Sequence, residues 1–229
     1  MIRAIIFDFN GVIINDEPVQ LKAYQEILKT NGINFTEEDY YKCAGMDDER
    51  FVRHHFEQAG KTLTDERLNE ITAQKTAHWK KQIDAEMPLF AGVENFIKKC
   101  ARRFALGIVS MANRGEIEYI LTRTALADNF TAIISAEDVS ECKPNPECYL
   151  KGFQKLDAVQ LAQKHYPLVH RECLVIEDSP AGIRSAKRVG MEVLAVTNTF
   201  DENTLREAGA DSVTKNLNDW MPESIAQVF

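Results

Sequence analysis

Arg3-Ala4-Ile5-Ile6-Phe7-Asp8-Phe9-Asn10-Gly11-Val12-Ile13 decides how the rest of the chain is read. It opens on an apolar, β-branched run, the pattern of a strand buried on both faces of a sheet. The run stops at a carboxylate. Two residues later Asn10-Gly11 supplies a pair that tolerates a tight turn and positive φ. A carboxylate at the end of a buried strand is costly to desolvate unless something compensates it. In open α/β sheets the carboxyl end of a strand is also where ligands bind. Asp8 therefore reads as a catalytic or metal-binding carboxylate, or as the N-cap of a following helix. Gly11-Val12-Ile13-Ile14 does not begin an amphipathic helix, which favours the first reading.

Downstream the pattern turns helical. Asp16-Glu17-Pro18 has the composition of a helix start, a capping acid followed by Glu and Pro in the first turn. Leu21, Tyr24, Ile27 and Leu28 then recur at helical spacing as far as Asn31-Gly32. Thr36-Glu37-Glu38 restarts a helix that Gly45 breaks, and helical stretches follow near 47–58 and 65–83. No strand pattern occurs between residues 15 and 88. Residues 16–87 are thus expected to form a helical cap, inserted into a core made of 1–15 and 88–229. From residue 93 onward strands and helices alternate: strands at 105–109, 132–134, 173–176 and 193–196, helices at 93–100, 114–124, 146–164, 181–189 and 202–208. That alternation builds a parallel sheet covered on both faces. The expected fold class is α/β, a doubly wound, Rossmann-like parallel-sheet core with an inserted α-helical cap domain.

The 229 residues are 45% hydrophobic and 27% charged, an ordinary globular composition that allows one sizeable core plus an insertion. A formal net charge of −8 argues against a nucleic-acid or anionic-membrane partner, both of which need clustered Lys and Arg. No apolar stretch reaches membrane length, and Asp8 interrupts the first apolar run too early for a signal peptide. The five cysteines (43, 100, 142, 148, 173) are odd in number and show no C-x-x-C spacing, which reads as free thiols in a reducing compartment. A cytoplasmic location is expected.

Four polar groups sit at the ends of apolar runs. Asp8 follows Ile5-Ile6-Phe7, Ser110 follows Leu106-Gly107-Ile108-Val109, and Glu177-Asp178 follows Leu174-Val175-Ile176. Lys143 lies in the loop Lys143-Pro144-Asn145-Pro146, after Ile133-Ile134. Parallel strands end on one edge of the sheet, so these groups can converge. Carboxylates hold a hard cation such as Mg²⁺, a hydroxyl and an ammonium bind phosphate oxygens, and a carboxylate can serve as nucleophile. Each group alone has a bland reading: Ser110 as a cap, Lys143 as a solvated loop charge, Glu177-Asp178 as the start of a helix. On the same footing, His54, His55 and His78 are expected at the surface, and Phe51, Phe56, Ile71 and Trp79 in cap packing.

Asp8-Phe9-Asn10-Gly11-Val12, Ser110, Lys143-Pro144-Asn145-Pro146-Glu147 and Glu177-Asp178-Ser179-Pro180-Ala181-Gly182-Ile183, in that order, resemble the haloacid-dehalogenase superfamily of hydrolases, in its β-phosphoglucomutase-like branch with a helical cap. The resemblance covers nearly the whole chain. It implies a phosphatase that acts on a small phosphorylated metabolite and uses Mg²⁺. Asp8 is then the nucleophile that forms an aspartyl-phosphate. Asp8, the backbone carbonyl of Asn10 and Asp178 hold the metal, with Glu177 ligating it or acting from behind. Ser110 and Lys143 hold the phosphoryl oxygens, Gly11 lets the loop turn closely around the phosphate, and Asn113 touches substrate or phosphate.

One position departs from the pattern. The family's phosphatases place Asp two residues after the nucleophile, where this chain has Asn10. An amide orients water but neither takes up nor releases a proton, so ordinary monoester turnover is expected to be slowed or specialised. Alternatives are a proton supplied by a cap residue (His54, His55, Lys75 or His78), a degenerate protein that binds a phosphorylated metabolite without turnover, and a phosphonatase- or dehalogenase-type hydrolase. The acidic Asp47-Asp48 pair, where mutase-like relatives carry a basic residue, disfavours a bisphosphorylated sugar.

Overall fold

A computed structural model describes every residue from Met1 to Phe229. Six strands form one sheet: β1 (Ala4–Phe7), β2 (Ala105–Val109), β3 (Ala132–Ile134), β4 (Cys173–Glu177), β5 (Glu192–Val196) and β6 (Ser212–Thr214). Their order is β3-β2-β1-β4-β5-β6, and every pairing is parallel. The chain therefore winds outward from β1 in one direction and then returns to its other side. Ligands bind outside the carboxyl ends of strands where the winding reverses. Here that place lies beside β1, the strand that ends in Asp8.

β1 is uniformly apolar because helices cover both of its faces. Ile5 and Phe7 belong to one apolar cluster, and Ala4 and Ile6 to another on the opposite face. The first cluster is closed by Phe96 and Ile97 of α5 (Val93–Ala101), Ile117 and Ile120 of α6 (Arg114–Arg123), and Ile225 of α10 (Pro222–Val228). Phe7 sits edge-on to Phe96 and Phe130, with ring centroids 6.1 and 5.9 Å away. The second is closed by Tyr149 and Leu156 of α7 (Glu147–Ala162), Ile183 of α8 (Pro180–Val189) and Leu205 of α9 (Glu202–Glu207). Burying a side chain as large as Phe7 contributes roughly 1.5–3 kcal/mol.

Between β1 and α5 lie only helices: α1 (Glu17–Thr30), α2 (Glu37–Lys42), α3 (Asp48–Gln58) and α4 (Asp65–Ala85). They enclose a cluster of their own around Tyr24, Leu28, Phe51, Val52 and Ile71. No helix of the chain is long and apolar enough to cross a membrane. All five cysteines are free and buried.

Three sequence expectations need correction. Trp79 and Ile83 belong to the main core cluster, not to the packing among the cap helices, because the end of α4 descends onto the sheet domain. His55 is buried: its Nδ1 lies 2.9 Å from the Phe51 carbonyl oxygen, and its ring stacks on Phe51 at 4.3 Å. β6 and α10 were not anticipated, since both are short and β6 is only half-buried along its length.

Candidate active site

The register of the sheet places the site. Phe7 pairs with Ile108 on one side and Ile176 on the other, so Asp8 emerges between Val109 and Glu177. Asp8 is buried, and its Oδ1 accepts a hydrogen bond from the Phe9 N–H (2.7 Å) and an ion pair from Lys143 Nζ (3.1 Å). Burial pushes the Asp8 carboxyl up to about 7, and the Lys143 ammonium opposes that rise. Asp8 Oδ2 accepts from no protein group.

Lys143 reaches this point because its loop follows β3 and runs under the sheet edge. Its Nζ donates to Glu177 Oε1 (2.7 Å) and to the Val109 carbonyl (3.3 Å). Glu177 is saturated. Tyr149 O–H also donates to Oε1, while the N–H groups of Asp178 and Ser179 and the Ser179 hydroxyl donate to Oε2. Those donors, with Lys143, hold the Glu177 carboxyl below its ordinary value despite its burial. Asp178 is its opposite: buried, with one donor from Thr199 Oγ1, and pushed well up by desolvation and by the nearby Glu177 and Asp8. One oxygen from each of Asp8, Glu177 and Asp178 lies within 4.8 Å of the others. Glycines make this crowding feasible. A Cβ on Gly11, at φ +74°, would fall 1.8 Å from Asp178 Oδ2, and one on Gly182 would fall 1.6 Å from Glu177 Oε1.

Asn10 is held from behind. Its Nδ2 donates to both oxygens of Asp16, at 2.9 and 3.0 Å, and its Oδ1 accepts from the Ser110 hydroxyl at 3.4 Å. Asp16 is fully buried and also accepts from Gln20 Nε2 (3.0 Å) and Trp79 Nε1 (2.7 Å). It sits at the N-cap position of α1 but makes no capping bond. Sequence reading took Asp16 for a helix cap only. The signal it missed is the i, i+4 pair Asp16/Gln20 directly behind an amide.

The helical layer closes the other side of a cavity of about 110 Å³ that Asp8, Asn10, Ser110, Lys143 and Asp178 line from the sheet edge. α1 contributes Glu17, Gln20 and Tyr24, and the α2–α3 region contributes Tyr40, Asp48 and Phe51. Beside them Lys75 Nζ lies 3.0 Å from Asp48 Oδ2 and 3.0 Å from Glu116 Oε1, which raises the Lys75 pKa. A lysine so paired is a poor Schiff-base former. The histidines named above do not line the cavity. Asn113, expected to touch substrate or phosphate, donates from Nδ2 to Asp48 Oδ2 (2.8 Å), a carboxylate of the cavity wall.

Comparison with known proteins agrees with this fold. The family profile described as "Haloacid dehalogenase-like hydrolase" matches residues 5–196. The protein YhcW of Bacillus subtilis is 33% identical over 201 residues, 86% of this chain and 84% of that one. The phosphorylated carbohydrates phosphatase of Thermotoga maritima is 26% identical over 238 residues, 99% of this chain and 98% of that one. Among solved structures, β-phosphoglucomutase from Clostridium difficile has a TM-score of 0.84 at 21% identity, covering 100% of this chain and 97% of that one. The chain belongs to the haloacid dehalogenase-like hydrolases. Its fold is that of the β-phosphoglucomutase-like branch.

Proposed function

We propose that the chain is a Mg²⁺-dependent phosphatase that hydrolyses a small phosphorylated metabolite through an aspartyl-phosphate on Asp8, with residues 16–87 acting as the cap that admits the substrate. One observation carries the reading: a nucleophile-competent carboxylate and an ammonium 3.1 Å apart on the floor of a cavity shared with the helical layer. Relatives named as phosphatases, the Thermotoga maritima protein among them, point the same way.

The donor set fits Mg²⁺. The candidates are all hard oxygens: the carboxylates of Asp8 and Asp178 and the backbone carbonyl of Asn10. Asp178, buried with a single hydroxyl donor, is the group most in need of a cation. Glu177, already accepting five donors, serves better by holding Lys143 in place than by ligating directly. Bound there, the metal supplies charge neutralisation for the phosphoryl group.

In the first step an Asp8 oxygen bonds to phosphorus and the bond to the leaving alkoxide breaks. Lys143 and Ser110 hold the phosphoryl oxygens and offset their charge. In the second step water attacks the phosphoryl group, inorganic phosphate leaves and the Asp8 carboxylate is restored. Asn10 Oδ1, fixed by the Asp16 contact, accepts a hydrogen bond from that water or from the leaving hydroxyl. An amide moves no proton, so the leaving group takes its proton from solvent. Positioned acid–base catalysis is worth on the order of 10²–10⁴-fold, and turnover is slower by a comparable factor unless the leaving group is acidic.

The test is a panel of phosphate esters assayed with and without Mg²⁺. Phosphate release that requires both Mg²⁺ and Asp8 is expected, and unchanged turnover in purified Asp8→Ala refutes the role. The Asn10 amide also favours a second reading, a protein that binds a phosphorylated ligand without releasing phosphate. Tight binding across the panel with no release would select it.

A further inference from the structure

The half of the cavity away from Asp8 is unusual in what it leaves unpaired. We infer that this half receives a cationic, hydrogen-bond-donating group, so that the substrate is the phosphate monoester of an amino sugar or amino alcohol. This rests on the phosphatase reading above and narrows it.

Charge is the first observation. Six carboxylate side chains line the cavity, against two ammonium groups, Lys75 and Lys143. Both lysines are spent, Lys143 on Asp8 and Glu177 and Lys75 on Asp48 and Glu116. A divalent cation and a phosphate dianion neutralise one another, so loading the phosphoryl site leaves the excess negative charge in place. No basic side chain is free to meet a second phosphate.

The second observation is independent of charge. Three donors around this half of the cavity face inward, onto protein carboxylates. Tyr24 O–H donates to Asp48, Tyr40 O–H to Glu17 Oε2 (2.6 Å), and Gln20 Nε2 to Asp16 (3.0 Å). On the α1 face what remains are acceptors, and Tyr41 O–H is left as a lining donor without a protein partner. Gln20 is only 6% exposed, yet its Oε1 has no hydrogen-bond partner. Reversing the Gln20 amide is no remedy, since it would set an oxygen against the Asp16 carboxylate. A buried unsatisfied carbonyl costs about 1–3 kcal/mol, and this one belongs to a residue of the cavity wall, where the protein itself supplies no donor. Glu17, one turn earlier on α1 and half-buried, lines the same cavity, and its one protein donor, Tyr40 O–H, goes to Oε2. Residues 17, 20 and 24 share one face of the helix, so two acceptors and an aromatic ring lie side by side. Tyr40 and Phe51 complete this wall, but Lys75 Nζ already lies 5.8 Å from the Tyr24 ring centroid and Phe51 packs on Tyr24 and His55, so the acceptors are what an incoming ammonium meets. Desolvation and the Asp16 charge push the Glu17 carboxyl up to about 7, the behaviour of an acid without its cation.

The test uses the full-length protein with Mg²⁺ and matched ester pairs: glucosamine 6-phosphate against glucose 6-phosphate, and ethanolamine phosphate against glycerol phosphate. The amine member of each pair is expected to have a kcat/KM at least about tenfold higher, the scale of one charge-assisted hydrogen bond. In Glu17→Gln that ratio is expected to fall to within about threefold of unity; any loss common to both esters cancels in it. A ratio of one or less in the unaltered chain overturns the inference, as does a ratio that Glu17→Gln leaves unchanged. p-Nitrophenyl phosphate separates the two claims: its turnover with an amine ratio of one refutes this inference and keeps the phosphatase. If no ester is hydrolysed, calorimetric affinities for the same pairs give the ratio, and the same limits decide.

Discussion

Two lysines in this molecule are each buried between two carboxylates, and they do different work. Lys143 lies between Asp8 and Glu177 at the sheet edge, while Lys75 lies between Asp48 and Glu116 where the helical layer meets the sheet domain. In the second cluster every carboxylate oxygen is used: Asp48 also accepts from Tyr24 and Asn113, and Glu116 from Thr76. In the first, Glu177 is saturated but Asp8 keeps Oδ2 unpaired over a cavity. The same ion-pair chemistry makes a structural clasp in one place and a reactive carboxylate in the other. Both clusters line the same cavity, and what separates them is a single unsatisfied oxygen.

The largest expected effect divides the clusters by rate. Asp8→Ala should lower phosphate release by at least about 10³-fold, while Lys75→Met should retain measurable turnover in the same assay. If the two variants lose activity equally, the contrast fails.

A second experiment sharpens the chemistry at Asn10. Placing Asp there alone sets a half-buried carboxyl about 3 Å from the fully buried Asp16, and like charges at that distance cannot both ionise. The exchange Asn10→Asp with Asp16→Asn moves the acid to the cavity and keeps the hydrogen bonds behind it. It should raise p-nitrophenyl phosphate turnover by about 10²-fold, and Asn10→Asp alone by distinctly less.

Stability reverses the ranking of the clusters. Lys75→Met strands the buried Glu116 and the half-buried Asp48 and should cost about 3 kcal/mol in denaturant unfolding. Adding Asp48→Asn and Glu116→Gln should recover part of that loss.

The smallest effect is one of pH. Glu17 and Glu116 are pushed from 4.5 up to about 7, in both cases chiefly by burial. Between those values the folded chain keeps protons that the unfolded chain has released, so stability falls as pH rises from about 4.5 to about 7. Tm without Mg²⁺ should be higher at pH 5 than at pH 7.5, and Glu116→Gln should flatten the slope.

Much of this was legible in the residues. Strands β1, β2, β4 and β5 announced themselves as continuous apolar runs, because a two-sided sheet needs no polar alternation. β6, three half-buried residues, has no such run to show. The meeting of Asp8, Ser110, Lys143 and Asp178 followed from parallel topology, which gathers strand ends whatever lies between. Contacts set by how the helical layer docks were not legible. Lys75 is one of seven lysines between residues 16 and 87, and only the meeting of α4 with α6 sets it apart. The Asn10–Asp16 bond depends on the turn after Phe9, where Gly11 N–H bonds to the Ile14 carbonyl and Ile13 N–H to Phe9. Trp79, 63 residues further on, gives no local sign that its indole completes that cluster.

That indole has a practical consequence. Trp79 is one of only two tryptophans in the chain, and it hydrogen-bonds the carboxylate that also holds the Asn10 amide. Any swing of α4 away from the sheet domain stretches this bond and changes the polarity around the ring. The protein thus carries its own fluorophore where α4 meets the sheet domain, and any such motion is readable by emission without attaching a dye.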